Sequence, residues 1–407
     1  MHKLLTLLAC CLGLAGSLAA QDKTLRLDYI FSGTDKSTEI ALAQMKSLDG
    51  WYGRRVNRDR LQLAGNGQIT VRDAKDGQIL YTNSFSTLFQ EWQNSEEATK
   101  VRKSFENVFL VPMPERPAEI TVELFDSHRR LSASIRHTVD PADILVRPVG
   151  LHPTPHRILH QAGDSREKID IAIVAEGYTA EEAELFYNDA RTAMESIWSH
   201  EPFKSMQDRF NIVAVAPASN ESGVSIPHNH DWKDTALGSH FDTFYSDRYL
   251  TTLNLFRLHD VLAGIPYEHI IILANTDNYG GGGIFNSYVL TAAHNRFALP
   301  VVVHEFGHSF GGLADEYYYD DQYEESYHAD AEPWEPNITT LFDFDSKWKG
   351  MMGKNGVGLH EGGGYQSKGV FRPCDDCRMK TNQYPTFCPV CEQAIRDIIN
   401  FYTIEKP

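Results

Sequence analysis

His304 and His308 stand four residues apart, with Glu305 beside the first of them, at the end of the apolar run Val301-Val302-Val303. No other feature restricts the fold of this chain so tightly. On an α-helix, residues four apart lie about 40° apart around the axis and about 6 Å along it. Both imidazoles then project from one face and can bind one zinc ion through ring nitrogens. Glu305 is placed to take a proton from an attacking water and later hand it to a leaving amine. The competing reading is a chance pair of histidines at helical spacing. The strands expected before this helix and the glycines and acids after it favour the metal.

A catalytic zinc needs a third protein ligand and one open position. The following residues, Ser309-Phe310-Gly311-Gly312-Leu313-Ala314-Asp315-Glu316-Tyr317, can supply that ligand. Continued as a helix, they would carry Asp315 about 10 Å beyond His308 along the axis. The paired glycines can end the helix and turn the chain back toward the metal. Asp315 is the preferred third ligand and Glu316 the alternative. The carboxylate left over would fix a histidine from outside.

Beyond Cys10 and Cys11, the cysteines are Cys374, Cys377, Cys388 and Cys391. They form two Cys-x-x-Cys pairs, which suit four thiolates around a tetrahedral structural zinc. The alternative is two disulfides, which an oxidising compartment permits.

Three resemblances follow from these residues. His304-Glu305-x-x-His308-x-x-Gly311 is similar to the front of the metzincin signature, although Ala314 stands where that signature has its third ligand and the acid comes one residue later. The longer string from His304 to Tyr317 resembles the M64 family of peptidases, whose named member cleaves immunoglobulin A. That resemblance implies a β-type N-terminal domain followed by a metallopeptidase domain. The order Cys-x-x-Cys-x-Met and then Cys-x-x-Cys is similar to the archaemetzincins, where four cysteines bind a second zinc around a methionine turn. It implies that Met379 packs beneath the catalytic metal.

The remaining chain divides by its patterning. Lys3, the apolar stretch 4–14 and Ser17-Leu18-Ala19-Ala20 read as a signal peptide over residues 1–20. Secreted, periplasmic or cell-surface placement follows from it. Leu7-Leu8-Ala9-Cys10 offers a lipoprotein anchor as the alternative. Residues 21–147 read as a β-rich, sandwich-like domain, because 25–31, 68–72, 79–81, 119–124 and 131–135 alternate or are bounded by turn signals. Residues 148–167, with Pro153 and Pro155 and no periodicity, read as a linker. Residues 168–407 read as a metzincin-like catalytic domain with strands near 169–174, 210–216, 269–274 and 284–291. A capping box at Thr179 and Glu182 opens a helix, and 392–401 reads as a closing helix. The fold class expected is α+β to α/β. No stretch after residue 20 reaches transmembrane length. A formal charge of -17, with 55 acidic against 38 basic residues, argues against a nucleic-acid partner.

Weaker candidates are His228, His230 and His240 with Asp231, Asp234 and Asp242, read as solvated loop positions that could hold an ion. Tyr317, Tyr318, Tyr319, Tyr365 and Tyr384 are candidate donors to an oxyanion. The run Gly280 to Gly283 reads as a flexible turn beside an edge strand, and Gly362-Gly363-Gly364-Tyr365 as a turn or mobile rim. The functional expectation is a secreted zinc endopeptidase acting on protein or peptide substrates, with one catalytic zinc and a second structural one. The alternative is a secreted glycan- or protein-binding protein with a non-catalytic metal site. The intact Glu305 speaks against it, since a structural zinc has no use for that acid.

Overall fold

The computed structural model describes residues 22–320 and 326–405. The predicted signal peptide over residues 1–20 and the Cys10 alternative lie outside the described residues. The N-terminal part contains β1 (Lys23–Thr34), β2 (Ser37–Asp49), β3 (Gly67–Asp73), β4 (Ile79–Phe85), α1 (Leu88–Gln93), β5 (Lys103–Pro112), β6 (Ala118–Phe125), β7 (Leu131–Val139) and β8 (Arg147–Pro148). They form two four-stranded sheets, β5-β1-β2-β8 and β4-β3-β6-β7. The predicted strands 68–72 and 79–81 pair as the hairpin of β3 and β4, with Thr70 opposite Thr82 and Asp76-Gly77 in the turn, Gly77 at φ +76°. In β6, Ile120, Val122 and Leu124 are buried while alternate residues are partly exposed, the period-two pattern of a half-buried strand.

The C-terminal part is built on one six-stranded sheet. Its elements are β9 (His156–Gln161), β10 (Ile169–Glu176), α2 (Ala183–Trp198), β11 (Phe210–Val215), α3 (Leu255–Val261), β12 (His269–Ala274), β13 (Gly281–Ile284), β14 (Tyr288–Ala292) and α4 (Ala298–Ser309). A hairpin of β15 (His360–Gly363) and β16 (Gln366–Arg372) follows, then α5 (Pro389–Thr403). The strand order is β13-β14-β12-β10-β11-β9, with the four inner strands parallel and an antiparallel strand at each edge.

The inner strands are apolar throughout because both faces are covered. Ala172, Val174, Ile270, Ile272 and Leu290 share a core with the sandwich, among them Leu27, Phe31, Phe85 and Val122. Ile171, Ile173, Ile271, Leu273 and Val289 pack instead on Phe186, Val302, Phe306 and Ile395 of the helices. The molecule is thus layered as sandwich, sheet and helices, and the sandwich covers one face of the six-stranded sheet.

A buried ion network fastens the layers. Arg26 and Lys46 of the sandwich reach Asp260 of α3 at 2.6 and 2.8 Å, and both also pair with the fully buried Asp28. The Ser86 amide donates to Phe285 O at 3.0 Å and Asn286 Nδ2 to Ser84 O at 2.8 Å, beside β13.

Two expectations need correction. Residues 148–167, read as a linker, contain β9, which pairs with β11; short edge strands show little periodicity. The glycine run, read as a flexible turn before a strand over 284–291, is itself the edge strand β13, and the hairpin turn falls within that predicted strand. Added side chains explain the glycines. A Cβ on Gly281 would lie 3.1 Å from Val301 Cγ1, and one on Gly283 would lie 2.3 Å from Glu305 O. Only glycine lets α4 approach this edge.

Candidate active site and metal centres

Helix α4 carries the two histidines. Pro300 sits in its first turn, where a missing amide hydrogen costs no intrahelical bond. Val302, Val303 and Phe306 are buried in the helix-side core, which leaves His304, Glu305 and His308 on the other face together with Val301, which packs on Gly281. The helix ends as expected: Gly312 takes φ +60°, its amide donates to His308 O at 3.0 Å, and the Leu313 amide donates to Gly307 O at 3.1 Å. That reversal brings Asp315 back to the histidines.

The geometry there is compact. His304 Nε2 and His308 Nε2 are 3.0 Å apart, and Asp315 Oδ1 lies 3.0 and 3.2 Å from them. Tetrahedral zinc with bonds of about 2.0–2.1 Å would hold its ligand atoms about 3.3 Å apart. His304 Nδ1 donates to Arg378 O at 2.9 Å and His308 Nδ1 to Leu313 O at 2.6 Å. Carbonyls only accept, so each neutral imidazole keeps its proton on Nδ1 and turns an Nε2 lone pair inward. Two lone pairs and a carboxylate oxygen converging this closely call for a cation. Burial works against charge on His308, yet Asp315 outweighs it and lifts that imidazole to about 10. The pocket therefore draws positive charge to this point, and the three residues can hold a divalent metal.

Glu305 stands next to this triangle, within 4.8 Å of the histidine nitrogens. Asp315 makes the closer approach to both rings, which separates the two carboxylates by position. Burial raises the Glu305 carboxyl, and His304 and His308 counter that rise. Beneath the helix, Met379 is fully buried, and a Cβ on Gly307 would lie 2.6 Å from its sulfur. Tyr365 Oη donates to Asp315 Oδ2 at 2.5 Å, and Tyr317 lies near His304 with ring centroids 6.5 Å apart. Asn337 clamps the acidic segment: its Oδ1 accepts from the Ala314 amide at 2.7 Å and its Nδ2 donates to Ala314 O at 2.9 Å. Sequence reasoning missed Asn337 and the Arg378 carbonyl, since neither side-chain type nor spacing marks them.

Residues 158–356 and 351–399 match the family described as IgA Peptidase M64, and residues 17–136 match Peptidase M64 N-terminus. The chain belongs to the M64 family. It is a peptidase by that membership, and its substrates are proteins or peptides. No curated protein matches it. The two matches meet the sandwich-plus-peptidase plan that the sequence resemblance implies.

The second cluster of this M64 peptidase lies on the far side of the same acidic segment. Cys374, Cys377, Cys388 and Cys391 are buried and unbridged. Cys377 Sγ and Cys391 Sγ are 3.8 Å apart, far beyond the roughly 2.05 Å of a disulfide and close to the sulfur spacing around tetrahedral zinc. The Cys388 amide donates to Cys377 Sγ at 3.2 Å. Burial opposes the Cys377 thiolate, but hydrogen bonds from Cys388 and Cys391 outweigh it and bring the thiol down to about 7. Glu316, the alternative third ligand of the histidine site, sits here and not beside His304. Its Oε1 accepts from Cys391 Sγ at 3.1 Å and from Asn337 Nδ2 at 3.0 Å.

The other candidates divide. His228 Nδ1 bonds the Asp242 carboxylate at 2.9 Å, His240 Nδ1 donates to Phe241 O at 2.6 Å, and His230 is exposed. Among the described residues, the groups able to gather three or more metal-binding side chains are His304 with Glu305 and His308, and Glu316 with Cys377, Cys388 and Cys391, and neither includes His228, His230 or His240. Of the five tyrosines, Tyr365 and Tyr317 reach the histidine site, and Tyr319 packs against both of those rings. Tyr318 bears instead on Arg372, and Tyr384 is partly exposed. No helix among the described residues is long and apolar enough to cross a membrane.

Proposed function

We propose that this chain is an exported, zinc-dependent endopeptidase that hydrolyses internal peptide bonds of extracellular proteins, with His304, His308 and Asp315 as metal ligands and Glu305 as general base. The convergence of two Nε2 lone pairs and one Asp315 oxygen carries this reading. A metal held there supplies a Lewis acid for the scissile carbonyl and lowers the pKa of water toward neutrality. Glu305 takes the proton of the attacking water and delivers it to the leaving amine. Tyr365 holds Asp315 from its outer oxygen, and the Arg378 and Leu313 carbonyls hold the imidazole tautomers. Met379 packs beneath and does no chemistry.

An extended substrate would add to the edge strand β13, whose Gly281 and Gly283 lie against the helix at Glu305. The charged start, apolar run and small residues of positions 1–20 support export. The cysteine cluster is a second, structural metal site in this reading. Chelation followed by zinc addition tests the metal dependence. Peptide hydrolysis should vanish and return in the wild type, and should be absent throughout in His304→Ala. Hydrolysis that survives complete metal removal would contradict the proposal.

A further inference from the structure

The four-cysteine pattern suggests four thiolate ligands, but the arrangement of atoms does not. The side chains that gather within 4.8 Å of one another are Glu316, Cys377, Cys388 and Cys391. Cys374 stands at the margin of that group: its thiol meets Cys388, but its Sγ is directed to Gly356 O at 3.8 Å and it does not come within that distance of all the others. Glu316 is fully buried, and its Oε2 has no hydrogen-bond partner. A buried, unpartnered carboxylate oxygen is costly unless a ligand completes it. Charge points the same way. Four thiolates plus an ionised Glu316 would crowd five negative charges round one divalent cation in a dry interior, and three thiolates plus Glu316 leave four.

The same segment serves both centres. Asp315 faces the histidines and Glu316 faces the cysteines, and Asn337 touches Glu316 as well as both polar backbone atoms of Ala314. The Glu316 amide donates to Met379 O at 2.8 Å. From Cys377 the chain runs through Arg378, whose carbonyl fixes His304, to Met379 beneath the helix.

We infer that the cysteine centre binds its metal through Glu316, Cys377, Cys388 and Cys391, with Cys374 outside the ligand set, and that the Asp315-Glu316 pair ties its occupancy to the affinity of the catalytic centre. The inference rests on the cysteine cluster being a metal site. Filling that centre fixes Glu316, which holds Asp315 at the histidines. Emptying it frees Glu316 and the Cys377-Arg378-Met379 segment together.

Cobalt(II) loading of the full chain separates the possibilities, because thiolate-to-cobalt charge-transfer absorption reports the cysteine centre alone. Cys374→Ser should keep two metals per chain and wild-type charge-transfer intensity. Glu316→Gln should weaken cobalt binding at the cysteine centre at least tenfold. It should also weaken the histidine centre by about 10–100-fold, the usual effect of losing an outer partner of a ligand. Loss of about a quarter of the charge-transfer intensity in Cys374→Ser, or unchanged metal affinities in a folded Glu316→Gln, would overturn the inference. Should Glu316→Gln fail to fold, Cys374→Ser still decides the ligand set, and Glu316→Asp, which keeps the charge but shortens the reach, decides the coupling. Finding no free thiols in the denatured, unreduced wild type would instead remove the metal reading of the cluster itself.

Discussion

Strand β13 sets the position of the catalytic helix, and Gly283→Ala tests this. A Cβ at Gly283 would lie 2.3 Å from Glu305 O and 3.0 Å from His308 Cβ. A carbon–oxygen contact settles at about 3.3 Å or more, so strand and helix must part by about 1 Å. Both groups hit are backbone or Cβ atoms and cannot swing aside. Overpacking of this kind costs about 1–3 kcal/mol of stability, and a 1 Å displacement of reacting groups can cost about 100-fold in rate. Urea unfolding should show the first effect, and kcat on a peptide substrate at saturating zinc the second. Gly350→Ala, with nothing within 4 Å of the added carbon, is the control and should change neither. A Gly283→Ala protein with wild-type kcat and stability would refute the argument that the glycine run exists to admit α4.

Other consequences are open to measurement. Tyr365→Phe removes the hydroxyl on Asp315 and should weaken catalytic-metal affinity by about 10–100-fold in a zinc-competition titration, with little change in unfolding midpoint. Arg26→Ala leaves the buried Asp28 paired with Lys46 and should destabilise the fold by up to about 3 kcal/mol by urea titration, the low end of the cost of breaking a buried ion pair. Asp170 carries a pH signature. Burial pushes its carboxyl up to about 6, against hydrogen bonds from Asn211 and Ser165. The folded state therefore holds this proton more tightly than the unfolded chain. Its contribution to stability is present below about pH 4 and is lost as pH rises to about 6, by an amount on the order of 2 kcal/mol. Asp170→Asn should flatten that part of the stability–pH curve, and an unchanged slope would contradict the assignment.

Much of this arrangement is legible in the chain itself, for definite reasons. Strands β1, β3, β6, β10, β11 and β12 announce themselves by alternation or by short apolar runs, and the glycine reversal after His308 follows from the need to return a carboxylate to the two histidines. What escapes is what depends on distant neighbours. Strand β13 is hidden because its glycines answer to the helix packed on them and not to strand propensity. The Arg378 carbonyl that orients His304 comes from 74 residues away and has no side-chain signature. Spacing ranks Asp315 ahead of Glu316 without separating their roles; consecutive residues differ in the side of the chain they face, and only the fold shows that the cysteines lie on one side and the histidines on the other. Asn337 belongs to the same class, being visible only once Ala314 and Glu316 lie against it.

In the proposed mechanism Glu305 and a metal on His304, His308 and Asp315 hydrolyse peptide bonds. The most direct test incubates wild-type protein and Glu305→Gln, each zinc-loaded, with a complex secreted proteome and maps new N-termini. New internal ends should appear with the wild type alone. The variant should bind zinc equally well and be slower by about 100- to 10,000-fold, the usual contribution of a general base. Equal cleavage by both proteins, or none by a zinc-loaded wild type, would contradict the account.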